Sequence, residues 1–270
     1  MNKLYFNGKI TESISGFDIF NRGFKYNDSF FETIHVTNGK VFNVKNHLIR
    51  IVKAVNILKF KFKYTNQQLV QIFNDLISVN NLKHGVLRLY IYRNSDGQYL
   101  PNSNDTSLII NTNHLNCSFK INSPNKLCTY KNDFKSNTLL SNIKANSIIS
   151  VLSSIYASEM NYDSAVLFNN NNKIIETSNS NIFFVANHKI ITPPIKDGCI
   201  DGTMRRLLMS LFDIEERSIS LNILSKADEV FVSNSISGVI PIKKIDNIVY
   251  HNFSYCNIIQ KKIISLSLDF

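Results

Sequence analysis

The sequence predicts an α+β protein built as two α/β domains, and three observations predict it. Short runs rich in β-branched and aromatic residues, such as FFETIHV, GVLRLYIYR and NIFFV, alternate with windows whose apolar residues recur every three or four positions. A chain of 270 residues is long enough to bury two cores of ordinary size. Near residues 113–124 the polar stretch NTNHLNCSFKINSPNK carries few signals for helix or strand, which places a boundary there and gives a smaller domain over 1–118 and a larger one over 119–270.

In the first domain, Asn7-Gly8 turns a hairpin over residues 2–10. FFETIHV then sets Phe30, Glu32, Ile34 and Val36 against Phe31, Thr33 and His35, the two faces of a strand, and Asn38-Gly39 turns it into a second strand, KVFNV. Leu48, Ile51, Val52, Val55 and Leu58 make the stripe of a helix over 45–59, with His47 and Arg50 three apart on another edge. A second helix covers 66–79 with Thr65 as its N-cap. Strands at 85–93 and 106–112 follow, joined by the turn-rich NSDGQYLPNSND.

The second domain opens with LCTY and the loop SNIKANS, which leads into a helix whose Ile148, Ile149, Val151, Leu152, Ile155 and Tyr156 are expected to bury one face. SAVLF, KIIET and NIFFV read as short strands. DGTM opens a helix over 203–213, EVFVS and VIPIKKI are strands about the turn NSISG, and Ile259, Ile263 and Leu266 stripe a last helix.

Composition narrows the function. No apolar run is long enough to span a bilayer and MNKLYFNGKI lacks a signal peptide's apolar core, so the expectation is a soluble cytoplasmic protein without membrane partners. Thirty basic against twenty acidic residues give a net charge of +10, which suits an anionic partner; the lysines are spread thinly with no basic run interleaved with aromatics, so a small anionic molecule is expected rather than nucleic acid. Cys117, Cys128, Cys199 and Cys256 are too scattered for a metal or redox motif and read as unpaired thiols.

Four features could carry chemistry. Lys144 precedes a helix, where the peptide dipoles disfavour a positive charge, as a Schiff-base amine requires; it could equally be a solvated lysine. Arg50 offers a planar fork of permanent donors to an anion or to a surface carboxylate. Glu176 ends an apolar strand, where a carboxylate needs a cation or a protonated nitrogen unless it lies in water. Gly202 and Thr203 at a helix start, and the SNSISG turn, present backbone amides to a phosphate or serve as plain caps. An amine, a carboxylate for a ring nitrogen, and an arginine with amides for a phosphate together match the needs of pyridoxal 5'-phosphate.

The ordered motifs NRGFKYNDSFFETIHVTNGKVF, HLIR, SNIKANS, KIIETSNSNIF and DGTMRR resemble those of the fold-type IV pyridoxal-phosphate enzymes, the class-IV aminotransferase family with its D-amino-acid aminotransferase-like architecture. The resemblance implies that Lys144 is the Schiff-base and proton-shuttling lysine, that Glu176 serves the ring nitrogen, and that Arg50, Thr203, Met204, Asn234 and Ser235 bind the phosphate. It implies a homodimer with active sites between its domains. NSISGVIPI and YRNSDGQYLP are similar to segments of 4-amino-4-deoxychorismate lyases, which release pyruvate and 4-aminobenzoate for folate synthesis. That reaction is the leading expectation, with branched-chain or D-amino-acid transamination, and a non-enzymatic basic binding protein, as alternatives. Phe31, Arg88, Arg93 and Tyr99 are the expected substrate contacts. The chain departs from the family pattern at Asn27, where glycine is usual, at Gln98 in the shortened loop, and at Asn146, which stands two rather than three residues after the lysine.

Overall fold

A computed structural model describes residues 2–14, 18, 20–145 and 147–268. Asn146, singled out above for its spacing from the lysine, lies outside the described residues. The chain divides into two compact units, one of residues 1–118, 143–145 and 266–270, the other of 119–142 and 146–265. Lys144 therefore falls in the first unit, not in the C-terminal domain expected to carry it.

The first unit contains β1 (Leu4–Phe6), β2 (Lys9–Thr11), α1 (Arg22–Tyr26), β3 (Ser29–Thr37), β4 (Lys40–Val41), α2 (Val44–Ile57), α3 (Asn66–Val79), β5 (Gly85–Arg93) and β6 (Thr106–His114). Its six strands run in the order β2-β1-β6-β5-β3-β4, all neighbours antiparallel. The two-residue periodicity of strands sends Phe30 and Ile34, with Leu87, Leu89, Leu108 and Ile110, into a core against Ile51 and Ala54 of α2 and Leu69, Phe73 and Leu76 of α3. The opposite face carries Phe31 and Thr33, registered against Tyr90 and Arg88. Thr65 caps α3 in a reciprocal capping box with Gln68. The short helix α1 carried no periodic signal, being held by its Asn21 cap and by Asn27 in the left-handed region at φ 56°.

The second unit contains β7 (Asn125–Thr129), α4 (Ile148–Glu159), β8 (Ser164–Phe168), β9 (Lys173–Thr177), β10 (Asn181–Ala186), β11 (Lys189–Thr192), α5 (Thr203–Leu211), β12 (Ile214–Glu216), β13 (Ile219–Ser220), β14 (Glu229–Asn234), β15 (Gly238–Ile245), β16 (Ile248–Val249) and α6 (Ser254–Leu268), which ends in residues of the first unit. The strands form one mixed sheet, β12-β11-β10-β14-β15-β7-β8-β9-β13, with β16 on β15. Parallel pairing is confined to β7 with β15 and β8, and β11 with β12.

One expectation holds only in part. Of the apolar stripe of α4, Ile149 and Tyr156 pack beside Ala157 on the core, whereas Ile148, Val151, Leu152 and Ile155 are 44–56% exposed. Periodicity shows that a helix has an apolar face, not what covers it. Among the described residues no helix is long and apolar enough to cross a membrane. All four cysteines are free thiols, Cys117 exposed and the others buried.

His35, fully buried on β3, supplies a test of the first core. Burial, reinforced by the charge of His84, pushes its pKa down to about 4. The unfolded chain takes up this proton near the ordinary histidine value, roughly 6.5, whereas the folded chain refuses it until near the depressed one. Stability from this group is thus complete above pH 6.5 and lost as pH falls towards 4, by up to roughly 3 kcal/mol. Urea midpoints at pH 7.5 and 5.0 should show that loss, and His35→Gln should flatten the dependence; an unchanged slope in the variant would assign the effect elsewhere.

Candidate active site

In the second unit the site is built around Glu176. The strand β9 buries Ile174, Ile175 and Glu176 in succession, leaving the carboxylate 3% exposed. A carboxylate so far from water must be compensated. Lys135 Nζ donates to Oε1, in an ion pair with that lysine side chain only 14% exposed, and the amide of Ile200 donates to Oε2 at 2.8 Å. Lys135 Nζ also donates to the Ser141 carbonyl at 3.2 Å. Cys199 next to Ile200 stays a neutral thiol, pushed up to about 12 by burial and then by the negative charge of Glu176.

The segment that presents Ile200 continues into α5. Asn142 donates to the carbonyls of Ile195 and Cys199 at 3.0 and 2.9 Å, and its own carbonyl accepts from the Asp201 amide. Asp201 forms a bidentate pair with Arg206. Gly202 occupies the N-cap of α5 with no side-chain cap, so the amides of the first turn point at whatever lies before the helix. A Cβ on Gly202 would lie 1.8 Å from Asn181 Oδ1, which is why glycine stands there. Thr203 and Met204 are buried in that first turn. Arg205, buried completely, anchors the helix to the Pro193 carbonyl and Glu216, which accounts for the glycine and arginine of DGTMRR.

The second turn of donors is tied to the first. Asn234 Oδ1 accepts from the amides of Ile236 and Ser237 at 2.9 and 2.8 Å, closing the turn after β14, while its Nδ2 donates to Ser180 Oγ at 3.0 Å. Asn181, the next residue, donates to the Ile200 carbonyl at 2.8 Å. Asn234 is thus a turn-former whose side chain is engaged, and Ser235 is the half-buried corner of the turn it makes. Ser180 and Asn181 join the Asn234 turn to the α5 start, and neither was anticipated beyond the motif SNSN.

In the first unit, Glu32 accepts from Arg50 through Nε and Nη2 and pairs with His47 Nδ1 at 2.8 Å, all three side chains buried. Burial alone would raise the carboxyl pKa; Arg50 and His47 overcome that and hold it well below the usual range. His47 is driven down, first by burial and further by Arg50 and Lys144. Arg50 is therefore a buried anchor of a charge cluster and not a surface ion pair. Lys144 Nζ lies 4.6 Å from the centre of the Phe31 ring, and the Lys144 carbonyl accepts from the Phe31 amide at 3.1 Å. Asn27 Nδ2 donates to the Ala145 carbonyl at 2.7 Å.

Arg88, registered opposite Thr33 on the face of the sheet away from the core, donates through Nη1 to Asn113 Oδ1 at 2.6 Å. Arg93 and Tyr99 do not join it. All three guanidinium nitrogens of Arg93 have internal partners, Asp28, Asn104 and the Leu58 carbonyl, and the group lies over the Phe60 ring. Arg22 shares Asp28 and binds the carbonyls of Gly97, Gln98 and Tyr99, drawing the shortened loop onto α1. The Tyr99 side chain, 88% exposed, leans on Tyr26. Each guanidinium nitrogen of Arg93 is thus tied into the fold, three of its five N–H donors being used, and the side chain holds the loop beyond β5 in place.

Lys135 is the residue that the sequence reading missed. Its partner is 41 positions away in the chain, and no local pattern marks one lysine of a polar loop.

These groups fit pyridoxal phosphate: a desolvated carboxylate suits a ring nitrogen, and a helix start without a side-chain N-cap suits a phosphate. The family model for amino-transferase class IV matches residues 29–245. A Methanocaldococcus jannaschii protein assigned as a branched-chain-amino-acid aminotransferase is 26% identical over 276 residues, covering 96% of this chain and 93% of that one. The fold is shared with the branched-chain aminotransferase of Thermoproteus uzoniensis, at a TM-score of 0.90 and 22% identity over 99% of this chain and 95% of that one. It is shared equally with 4-amino-4-deoxychorismate lyase of Pseudomonas aeruginosa, at 0.85 and 21% over 99% and 100%. With four-fifths of its length matched, this chain belongs to the amino-transferase class IV family, the pyridoxal-phosphate-dependent enzymes of fold type IV.

Proposed function

We propose that the protein is a pyridoxal-phosphate-dependent aminotransferase of the branched-chain type, which moves the amino group of a small monocarboxylate amino acid to a 2-oxo acid. The observation that supports this reading is the engagement of each Arg93 guanidinium nitrogen by Asp28, Asn104 and Leu58, which gives a structural task to the arginine of the loop from which the lyase expectation was drawn. Arg88 is the remaining candidate for a substrate carboxylate, one guanidinium for one anionic group. The 26% identity over nearly the whole chain to the archaeal relative supports the same choice. The family resemblance implies an Arg-x-His carboxylate trap in D-amino-acid aminotransferases, and LRLYIYRN holds no such pair, which speaks against D-amino acids.

Pyridoxal phosphate, when bound, supplies an aldehyde for imine exchange and a ring that draws electrons from the substrate's alpha carbon. The chain's residues then have separate tasks. Lys144 takes and returns the alpha proton, its amine held over the Phe31 ring. Glu176 holds a proton at the ring nitrogen. The first amides of α5, at Thr203 and Met204, and the turn at Ser235 bind the phosphate, with Asn234 shaping that turn. Arg50 is retained as a phosphate ligand on the family resemblance. Arg88 orients the substrate through its carboxylate.

The activity test supplies the holoenzyme with 2-oxoglutarate and, in separate reactions, L-leucine, L-valine or D-alanine, and in a further reaction aminodeoxychorismate alone. Glutamate from the L-amino acids is the expected product. Lys144→Ala should lower kcat by at least roughly a hundredfold, and Arg88→Ala should raise KM by about tenfold or more with a smaller change in kcat. Pyruvate and 4-aminobenzoate as the dominant products would reverse the choice in favour of the lyase.

The exposed stripe of α4 supports a homodimer, since four adjacent aliphatic side chains in water make a patch that a second copy would cover. Light scattering should give twice the 30.9 kDa chain mass, and Val151→Lys with Ile155→Lys should shift it to a single chain. A wild-type mass of one chain at micromolar concentration would refute the dimer.

A further inference from the structure

We infer that Lys135 is a positioning residue for the chemistry of this site: its ammonium holds Glu176 as a carboxylate, so that the proton shared with the cofactor's ring nitrogen stays on the ring. The inference rests on the function proposed above. It starts from the ion pair between Lys135 Nζ and Glu176 Oε1, with the carboxylate's other oxygen taking the Ile200 amide.

Burial makes the charge on Glu176 costly. A carboxylate with one backbone donor and no cation would favour its neutral form, with a proton on oxygen. A neutral acid hydrogen-bonded to a pyridine nitrogen leaves that nitrogen without positive charge. An ammonium in contact with the carboxylate reverses the preference, because its attraction to the near oxygen exceeds its repulsion of a proton on the far side. Lys135 is the cation in contact with Glu176: of the other charges that reach Cys199, Arg205 is paired with Glu216 and Asp201 with Arg206, while the Ile200 amide is uncharged.

The contact also fixes what Lys135 does not do. On the pyridine ring the aldehyde-bearing carbon is opposite the nitrogen. A lysine touching the carboxylate that serves the nitrogen stands at the wrong end of the ring to condense with the aldehyde. Lys135 is held there by two acceptors, Glu176 and the Ser141 carbonyl. The condensing amine is Lys144, as the family resemblance implies.

The experiment compares the wild-type holoenzyme with Lys135→Met, Lys135→Gln and Lys135→Arg. Each protein is loaded with pyridoxal phosphate, its visible spectrum recorded, and the cofactor fixed by borohydride and located by peptide mapping. The label is expected on Lys144 in all four. Both neutral variants should move the visible band to shorter wavelength and lower kcat by roughly tenfold or more with KM little changed, while Lys135→Arg restores band and rate to within about threefold of wild type. Thermal melting of the apo proteins verifies folding; if Lys135→Met does not fold, Lys135→Gln carries the comparison. A label on Lys135 would overturn the inference by making it the condensing amine. A label on Lys144 with unaltered spectra in the neutral variants would overturn the positioning role and leave the proposed function standing. No label on any lysine would overturn the proposed function itself.

Discussion

The desolvation of one carboxylate sets the arrangement of the second unit. Glu176 closes an apolar strand and has almost no access to water, so the fold must bring donors to it. It brings a lysine from the loop after β7 and an amide from the segment before α5, two pieces of chain with no sequence relation to each other. Once the Ile200 amide is fixed on the carboxylate, the direction of α5 follows, and with it the place of the helix's first turn. Asn142, Asn181 and Ser180 then tie the lysine loop, the α5 start and the Asn234 turn into one hydrogen-bonded frame. The ring-nitrogen partner and the phosphate cradle are two ends of a single structural requirement.

The first unit meets the same requirement differently. Glu32 occupies a core-facing position of β3, where periodicity places Phe30 and Ile34, and a buried acid there would be strongly destabilising alone. Arg50 and His47, one helical turn apart on α2, supply the compensation. The price is that the guanidinium's fork is already largely committed. Asp28 repeats the pattern at the sheet's edge by accepting from both Arg22 and Arg93, and that pairing shapes the loop beyond β5. In each case the decisive contact joins an acid on a strand, or just before one, to a base far along the chain or on a neighbouring helix.

That pattern explains what could be read from the sequence. Strands and helices with strong local signals, such as β3, β5, α2 and the capped α3, stand where their periodicity puts them. Glu176, Thr203 and the Asn234 turn could be picked out as candidates because each sits near the end of an element with a suitable chemical type, and Arg50 because it shares a helix edge with His47. Lys135 was not, since an ion pair 41 residues apart leaves no periodic trace. The internal partners of Arg93 were illegible for a complementary reason: its motif reads as a loop, whereas Asp28, Asn104 and Leu58 are brought around the guanidinium only by the folded chain. The α4 stripe taught a similar lesson, because amphipathicity is a property of one helix and burial a property of its neighbours.

Asparagine ties the unusual composition back to the site. Of the eleven non-glycine residues with positive φ among those described, Asn7, Asn27, Asn38, Asn43, Asn81, Asn161, Asn172 and Asn187 are eight. The left-handed region ordinarily calls for glycine, and asparagine is the side chain that tolerates it best, through local hydrogen bonds. This chain has only nine glycines and so closes its turns largely with asparagine. At Asn27 the exchange does more than fill a conformation. Glycine could adopt φ 56° there, but it has no Nδ2 to donate to the Ala145 carbonyl beside Lys144. The departure from the family's glycine thus adds a hydrogen bond at the lysine segment, and it stiffens the backbone around the residue on which the proposed proton transfer depends.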